Sequence, residues 1–239
     1  MNDNLNHFLI PNADGPDQPL KDYSLTSNTI SAYFRNLDVN LIKHINDADA
    51  VFGCVAWLSH FNVLDALAKK EVSIVIQKED FLRPDINIKD RGNFHRNLRA
   101  KYNNLSCNID RWETGTILNE MSYAGDPTIK PVRCVGNINK EKHPAFPRMH
   151  NKFMVFAKII EIENTEFPGH KERVIRPYAV WTGSFNFTKN AVASFENALV
   201  ITDDKIVDAY YKEWAQITAL SEDLDWFQDW CAPEWRIGT

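Results

Sequence analysis

Long apolar runs are missing from this chain of 239 residues. No stretch approaches the roughly 20 residues that a bilayer-spanning helix needs, so the sequence reads as a protein that does not cross a membrane. The N-terminus, MNDNLNHFLIPNADGPDQPLKD, has neither a basic leader nor an apolar core and is not expected to be a secretory signal. Cysteine is scarce. Cys54, Cys107, Cys134 and Cys231 lie far apart with no C-x-x-C spacing, which points to buried reduced thiols in a cytoplasmic protein rather than to a disulfide framework. Cys134, His143 and His150 lack the spacing of a zinc site, and neither a metal nor a cofactor is expected. A net basic charge is also absent. The formal charge of −5 argues against indiscriminate nucleic-acid binding, although its distribution matters more than its sum.

What is present is concentrated in two short segments, M-H-N-K-F-M-V-F (149–156) and W-T-G-S-F-N-F-T (181–188), followed by Glu196-Asn197. Both segments sit at the ends of apolar runs, FMVFAKIIEI (153–162) and VIRPYAVW (174–181), that read as strands joined by a turn over 164–172. His150, Lys152, Ser184, Asn186 and Glu196 would then gather at neighbouring strand ends. An imidazole, an ammonium, a hydroxyl, an amide and a carboxylate suit attack on a phosphodiester: a nitrogen nucleophile, fixed positive charge and neutral donors for the non-bridging oxygens. Gly183 would let the backbone approach a ligand closely.

These motifs resemble those of the phospholipase D superfamily, in its small branch with one H-x-K per chain, and G-S-F-N-F-T with E-N-A-L-V-I (196–201) is similar to its small bacterial endonucleases. The resemblance extends over about residues 27–215. It implies an α/β fold, a phospholipase D-like mixed central sheet with helices on both faces. Ile30, Phe34, Leu37, Leu41 and Ile45 step as one amphipathic helix, followed by strand 50–57, helix 60–70 and strand 72–77. The family pattern continues H-x-K-x-x-x-x-D, and Ala157 stands at the aspartate position. The expected organisation is a polar arm over 1–20, a catalytic domain over 21–220 with an insertion at 78–129 and an extended hairpin at 153–182, and a Trp-rich segment over 221–239. No internal repeat supplies a second motif. The resemblance therefore implies a homodimer in which one His150 becomes a phosphohistidine and the other serves as acid, then base. It further implies that Lys152, Asn186 and Ser184 stabilise the phosphoryl oxygens, that Glu196 holds His150, and that lysine charge replaces a divalent ion.

The substrate is read less directly. Residues 89–101, KDRGNFHRNLRAK, carry five Lys/Arg against one Asp, with Arg96 and Arg99 on one helix face; they are either phosphate contacts or a solvated face. Lys171, Arg173 and Arg176 would meet a phosphate backbone if the hairpin leaned over the site. Nucleic acid is the expected partner, DNA before RNA. A lipid phosphodiester, or binding without cleavage, is the alternative. The helix after Thr202 or Asp203 presents a stripe of Ile206, Tyr210, Trp214 and Ile217. Trp226, Trp230 and Trp235 either cover the core or dock a protein partner.

Overall fold

The structure, a computed structural model, describes residues 4–7, 9–10, 16, 18–78, 92–122, 127–136, 148–164, 167–224 and 236–237. Its first half contains strands β1 (Leu9–Ile10), β2 (Gln18–Pro19), β3 (Leu25–Thr26) and β4 (Ile30–Tyr33), then helix α1 (Leu37–Asp47). Strand β5 (Ala50–Val55), helix α2 (Phe61–Leu67), strand β6 (Glu71–Gln77), helix α3 (Gly92–Asn103), β7 (Met121–Ser122) and β8 (Val132–Val135) follow. The second half runs β9 (Lys152–Glu163), β10 (Lys171–Gly183), a single turn α4 (Lys189–Val192), β11 (Ala198–Ile201), α5 (Asp204–Ala219), β12 (Glu222–Asp223) and β13 (Arg236–Ile237).

Among the described residues nine strands make one mixed sheet in the order β12-β8-β6-β5-β9-β10-β11-β4-β3. β5 pairs in parallel with β6, and β6 with β8. β9 and β10 extend the sheet antiparallel from β5, and β11 and β4 continue it. Every residue of β5 is buried, as expected for a central strand covered on both faces. Alternation then sorts its side chains. Val51 and Val55 join Leu41, Ile45, Val63 and Leu67 beneath α1 and α2, while Phe52 and Cys54 join Tyr211, Trp214 and Ala215 of α5. The expected sheet with helices on both faces is what the chain forms.

Several expectations change in detail. Ile30 to Ile45 is not one helix: residues 30–33 pair with β11 as strand β4, and Asn36, at φ 52°, breaks the chain before α1 begins. The left-handed backbone at Asn36 cannot belong to a right-handed helix. The buried face of α5 is also offset from the expected stripe. Val207, Tyr211, Trp214 and Thr218 are buried, whereas Ile206 is 39% exposed. Asp203 caps α5 by accepting from the Lys205 and Ile206 amides, both at 3.1 Å.

The segment after 220 begins as part of the sheet, because β12 pairs with β8. There the buried Arg133 donates from Nε to Ser221 Oγ at 2.7 Å and pairs with Asp223 at 3.2 Å, and Lys78 pairs with Glu222. Trp226, Trp230 and Trp235 lie outside the described residues. Within the expected loose arm, residues 4–7 are tied down: the Leu5 amide donates to Ala193 O at 2.9 Å, and Asn6 Nδ2 to Val192 O and Ser194 O, each at 3.1 Å. Cys54, Cys107 and Cys134 are free thiols buried in the core, and Cys231 lies outside the described residues. Among the described residues no helix is long and apolar enough to cross a membrane, and no cluster of His, Cys, Asp and Glu is arranged to hold a metal ion.

Candidate active site

One edge of the sheet collects the polar ends of four central strands. β5 and β6 finish there, β9 starts there, and β10 finishes there beside the start of β11. Ligand sites in open α/β sheets form outside the carboxyl ends of parallel strands, so the placement is the one the topology favours. Pairing of Thr182 with Phe153 and of Gly183 with Ala198 sets the two motif segments side by side.

His150 enters this edge through a pinned backbone. The Met149 amide donates to the buried Gln77 Oε1 at 2.8 Å, and the Ala56 amide to Asn151 O at 2.8 Å. Lys152 Nζ lies 3.2 Å from His150 Nδ1, 3.4 Å from Nε2 and 3.2 Å from its carbonyl oxygen. Trp57, just beyond β5, turns its ring edge-on to the imidazole at 5.6 Å and 84°. Partial burial, then the charges of Lys152 and Arg148, lower the pKa of His150 below that of a free histidine. The imidazole is thereby held neutral, which is the form with a lone pair to donate. Burial lowers the pKa of Lys152 as well, against the opposing pull of Glu196.

Across from this pair, the turn after β10 is fixed by Ser184. Its hydroxyl donates to Glu196 Oε2 in a short hydrogen bond and accepts from the Asn197 amide at 3.1 Å, while its own amide donates to Asn197 O at 3.1 Å. Gly183 serves this turn: a Cβ on it would stand 2.3 Å from Asn197 O and 2.8 Å from Ala198 Cα. The close approach is thus to β11 rather than to a ligand. Two expected roles shift accordingly. Glu196 binds Ser184 instead of His150, and the Ser184 hydroxyl already donates within the chain. Asn186 stays available, since its buried Oδ1 has no hydrogen-bond partner and nothing internal fixes which end of the amide faces the site.

A groove of about 640 Å³ opens beside these residues, lined by Trp57, Ser59, Phe94, His95, Asn186, Lys189 and Glu196 among others. Sequence reasoning missed Trp57, Gln77, Phe94 and His95. Trp57 and Gln77 carried a signal, each being the last large or polar residue at the carboxyl end of a parallel strand. Arg96 is exposed on α3 and Arg99 half-buried; neither lines the groove, although their helix does. The hairpin does not lean over the site. β9 and β10 run together away from it, so Arg176, Arg173 and Lys171 stand about 20, 30 and 36 Å along the strand from Thr182, at roughly 3.3 Å per residue. Arg173 is spent on Glu113, donating from Nε at 2.8 Å and from the terminal nitrogen at 2.7 Å, and Lys171 pairs with Glu161 at 3.1 Å. Ala157 is fully buried between Ala50 and Pro177, in the core layer facing α5.

The fold and site together are those of an α/β domain whose mixed sheet brings H-x-K and G-S-x-N side by side at one end of its strands. The chain belongs to the phospholipase D-like family: the model of the family described as cardiolipin synthase, PLD-like domain, matches residues 25–218. An uncharacterized protein, L381, of Acanthamoeba polyphaga mimivirus is 32% identical over 215 residues, spanning 84% of this chain and 69% of the relative. Among solved structures, the phospholipase D family member Nuc from Salmonella typhimurium is similar at 19% identity with a TM-score of 0.47, covering 82% of this chain and 97% of Nuc. NucT from Helicobacter pylori is similar at 12% identity with a TM-score of 0.46, covering 82% of this chain and 98% of NucT.

Proposed function

We propose that the chain is a metal-independent phosphodiesterase acting on nucleic acid, with His150 as the nucleophile. The observation that carries this reading is the Lys152 ammonium set 3.2 Å from the imidazole nitrogen of His150, at a strand edge that also holds Asn186 and Glu196. The neutral imidazole attacks phosphorus, the P–O bond to the leaving strand breaks, and a phosphohistidine forms. The departing oxygen takes a proton from a second imidazole, which then removes a proton from water. Water attacks the phosphohistidine, the P–N bond breaks, and His150 is regenerated.

One His150 cannot be nucleophile and acid in the same step, so the second imidazole is assigned to a two-fold-related copy of the chain. Lys152 supplies the fixed charge for the non-bridging oxygens, and the Asn186 amide donates to them. Glu196 acts through Lys152, whose charged form it favours, and through Ser184, whose turn it locks. This fixed cationic charge does the work that a divalent ion would otherwise do. Acid-sparing digestion and mass spectrometry of enzyme quenched during turnover test the chemistry. A phosphoryl adduct on the peptide containing His150 is expected; an adduct elsewhere, or cleavage unaffected by His150→Ala, would refute it.

A further inference from the structure

The groove beside His150 is walled by an element that carries none of the motif residues. Phe94, in the first turn of α3, is 42% exposed, yet its ring is stacked on Phe61 at 5.8 Å and 12° between planes. The ring is thus backed by an aromatic partner and met at right angles by the His95 ring at 5.9 Å, while Phe94 remains part of the groove lining. Trp57 lines the same groove and touches the His150 ring edge-on. The lining also contains short polar side chains: Ser59, Asn186, Thr188 and Asn190. Lys189 lines the groove, and α3, which supplies Phe94 and His95 to it, carries Arg96, Arg99 and Lys101 with no acid, Lys101 being paired with Asp65 of α2. Among the described residues Glu196 is the one carboxylate in the lining, and it is engaged with Ser184 and Lys152.

We infer that this groove seats an unpaired nucleobase against Phe94 and Trp57, which makes single-stranded nucleic acid the substrate class. The inference rests on the phosphodiesterase reading and goes beyond it, because that reading does not distinguish strandedness. In a duplex both faces of each base are covered by its neighbours, so a fixed aromatic wall has nothing to stack on until a base leaves the helix. A single strand offers every base face, while its backbone is met by lysine and arginine. The groove volume of about 640 Å³ is that of a small-molecule pocket, large enough for a base with its sugar. The short amides and hydroxyls can meet base edges without excluding any one base. Phe94 stands here as a substrate-positioning residue. It makes no contact with the reacting atoms.

The test uses the full chain carrying His150→Ala, so that binding is read without cleavage. Fluorescein-labelled DNA and RNA single strands and the matching blunt duplex are titrated by anisotropy, with Phe94→Ala, Phe94→Leu and Phe94→Trp introduced in turn. Phe94→Leu keeps apolar packing on Phe61 while removing the π-face. Single strands should bind at least roughly tenfold tighter than duplex, and Phe94→Ala and Phe94→Leu should each weaken them by roughly 5- to 100-fold, with Phe94→Trp restoring affinity. The DNA and RNA arms identify the polymer. Equal or tighter duplex binding, an unchanged affinity in Phe94→Leu, or dissociation of a dimer in that variant would overturn the inference. A separate arm follows hydrolysis of bis(p-nitrophenyl) phosphate by the wild-type chain and by His150→Ala. Turnover by the wild-type chain that the His150 variant lacks is expected. Loss of this activity in the parent chain refutes the phosphodiesterase reading, and the anisotropy result stands apart from it.

Discussion

His150 stands two residues before Lys152, the first residue of β9, and the ammonium comes to 3.2 Å from the imidazole Nδ1. That local geometry explains why the imidazole is held neutral: burial and a neighbouring ammonium both disfavour a second positive charge. In an NMR titration His150 should therefore lose its proton below the usual histidine value of about 6.5. Lys152→Met should move that titration upward by removing one of the lowering charges, and an unchanged midpoint would contradict the contact. The same substitution should reduce kcat by roughly 10²- to 10³-fold, the usual consequence of losing one oxyanion donor. Gly183 has a different kind of importance. Its Cβ has no room against Asn197 and Ala198, so Gly183→Ala should cost about 1–3 kcal/mol in urea unfolding and displace the Ser184 turn. Wild-type stability in that variant would show that the strand ends yield easily. These residues were legible as a group because their chemistry is carried by identity and spacing. Their partners were not. Glu196 to Ser184, and Gln77 to Met149, are contacts across 12 and 72 positions that only the fold creates.

At the scale of elements, strands were easiest to read where both faces are buried. β5 is an apolar run and β6 is one broken by Ser73 and ended by Gln77, and both fall where the sequence places them. α5 was harder to orient, because Ile206 and Val207, and Tyr210 and Tyr211, offer two overlapping stripes. The cap decides between them: with Asp203 fixing the first turn, Val207, Tyr211, Trp214 and Thr218 turn inward. Trp214 is fully buried against Phe52 at 4.5 Å and Tyr211 at 5.3 Å. Trp214→Ala should destabilise the protein by about 3–5 kcal/mol, whereas Asp203→Ala should cost about 0.5–2 kcal/mol. Chemical denaturation of both variants checks the order, and a larger loss at the cap would reverse the account of what holds α5. Strand β4, between β11 and the edge strand β3, could not be read from periodicity. It exists because β11 and β3 supply its partners, while its own residues are exposed or only partly buried. The same limit hid the hairpin's direction. Lys171, Arg173 and Arg176 form a basic cluster in sequence, but long regular pairing with β9 carries them away from the site.

For the whole molecule, one strand edge holds one nucleophile, and the proposed chemistry needs two imidazoles in opposite protonation states. The protein should therefore sediment at twice the chain mass of 27.6 kDa. Mixed dimers of wild-type and His150→Ala chains should lose at least roughly a hundredfold in rate, the scale of a missing general acid. A fully active monomer, or a mixed dimer at half activity, would remove the two-fold partner from the mechanism. The central claim is tested most directly by incubating end-labelled single-stranded and duplex DNA and RNA with the protein in excess EDTA, with His150→Ala alongside. Cleavage that survives the chelator and disappears in the variant is the predicted result. Cleavage that stops with EDTA, or persists without His150, would contradict it.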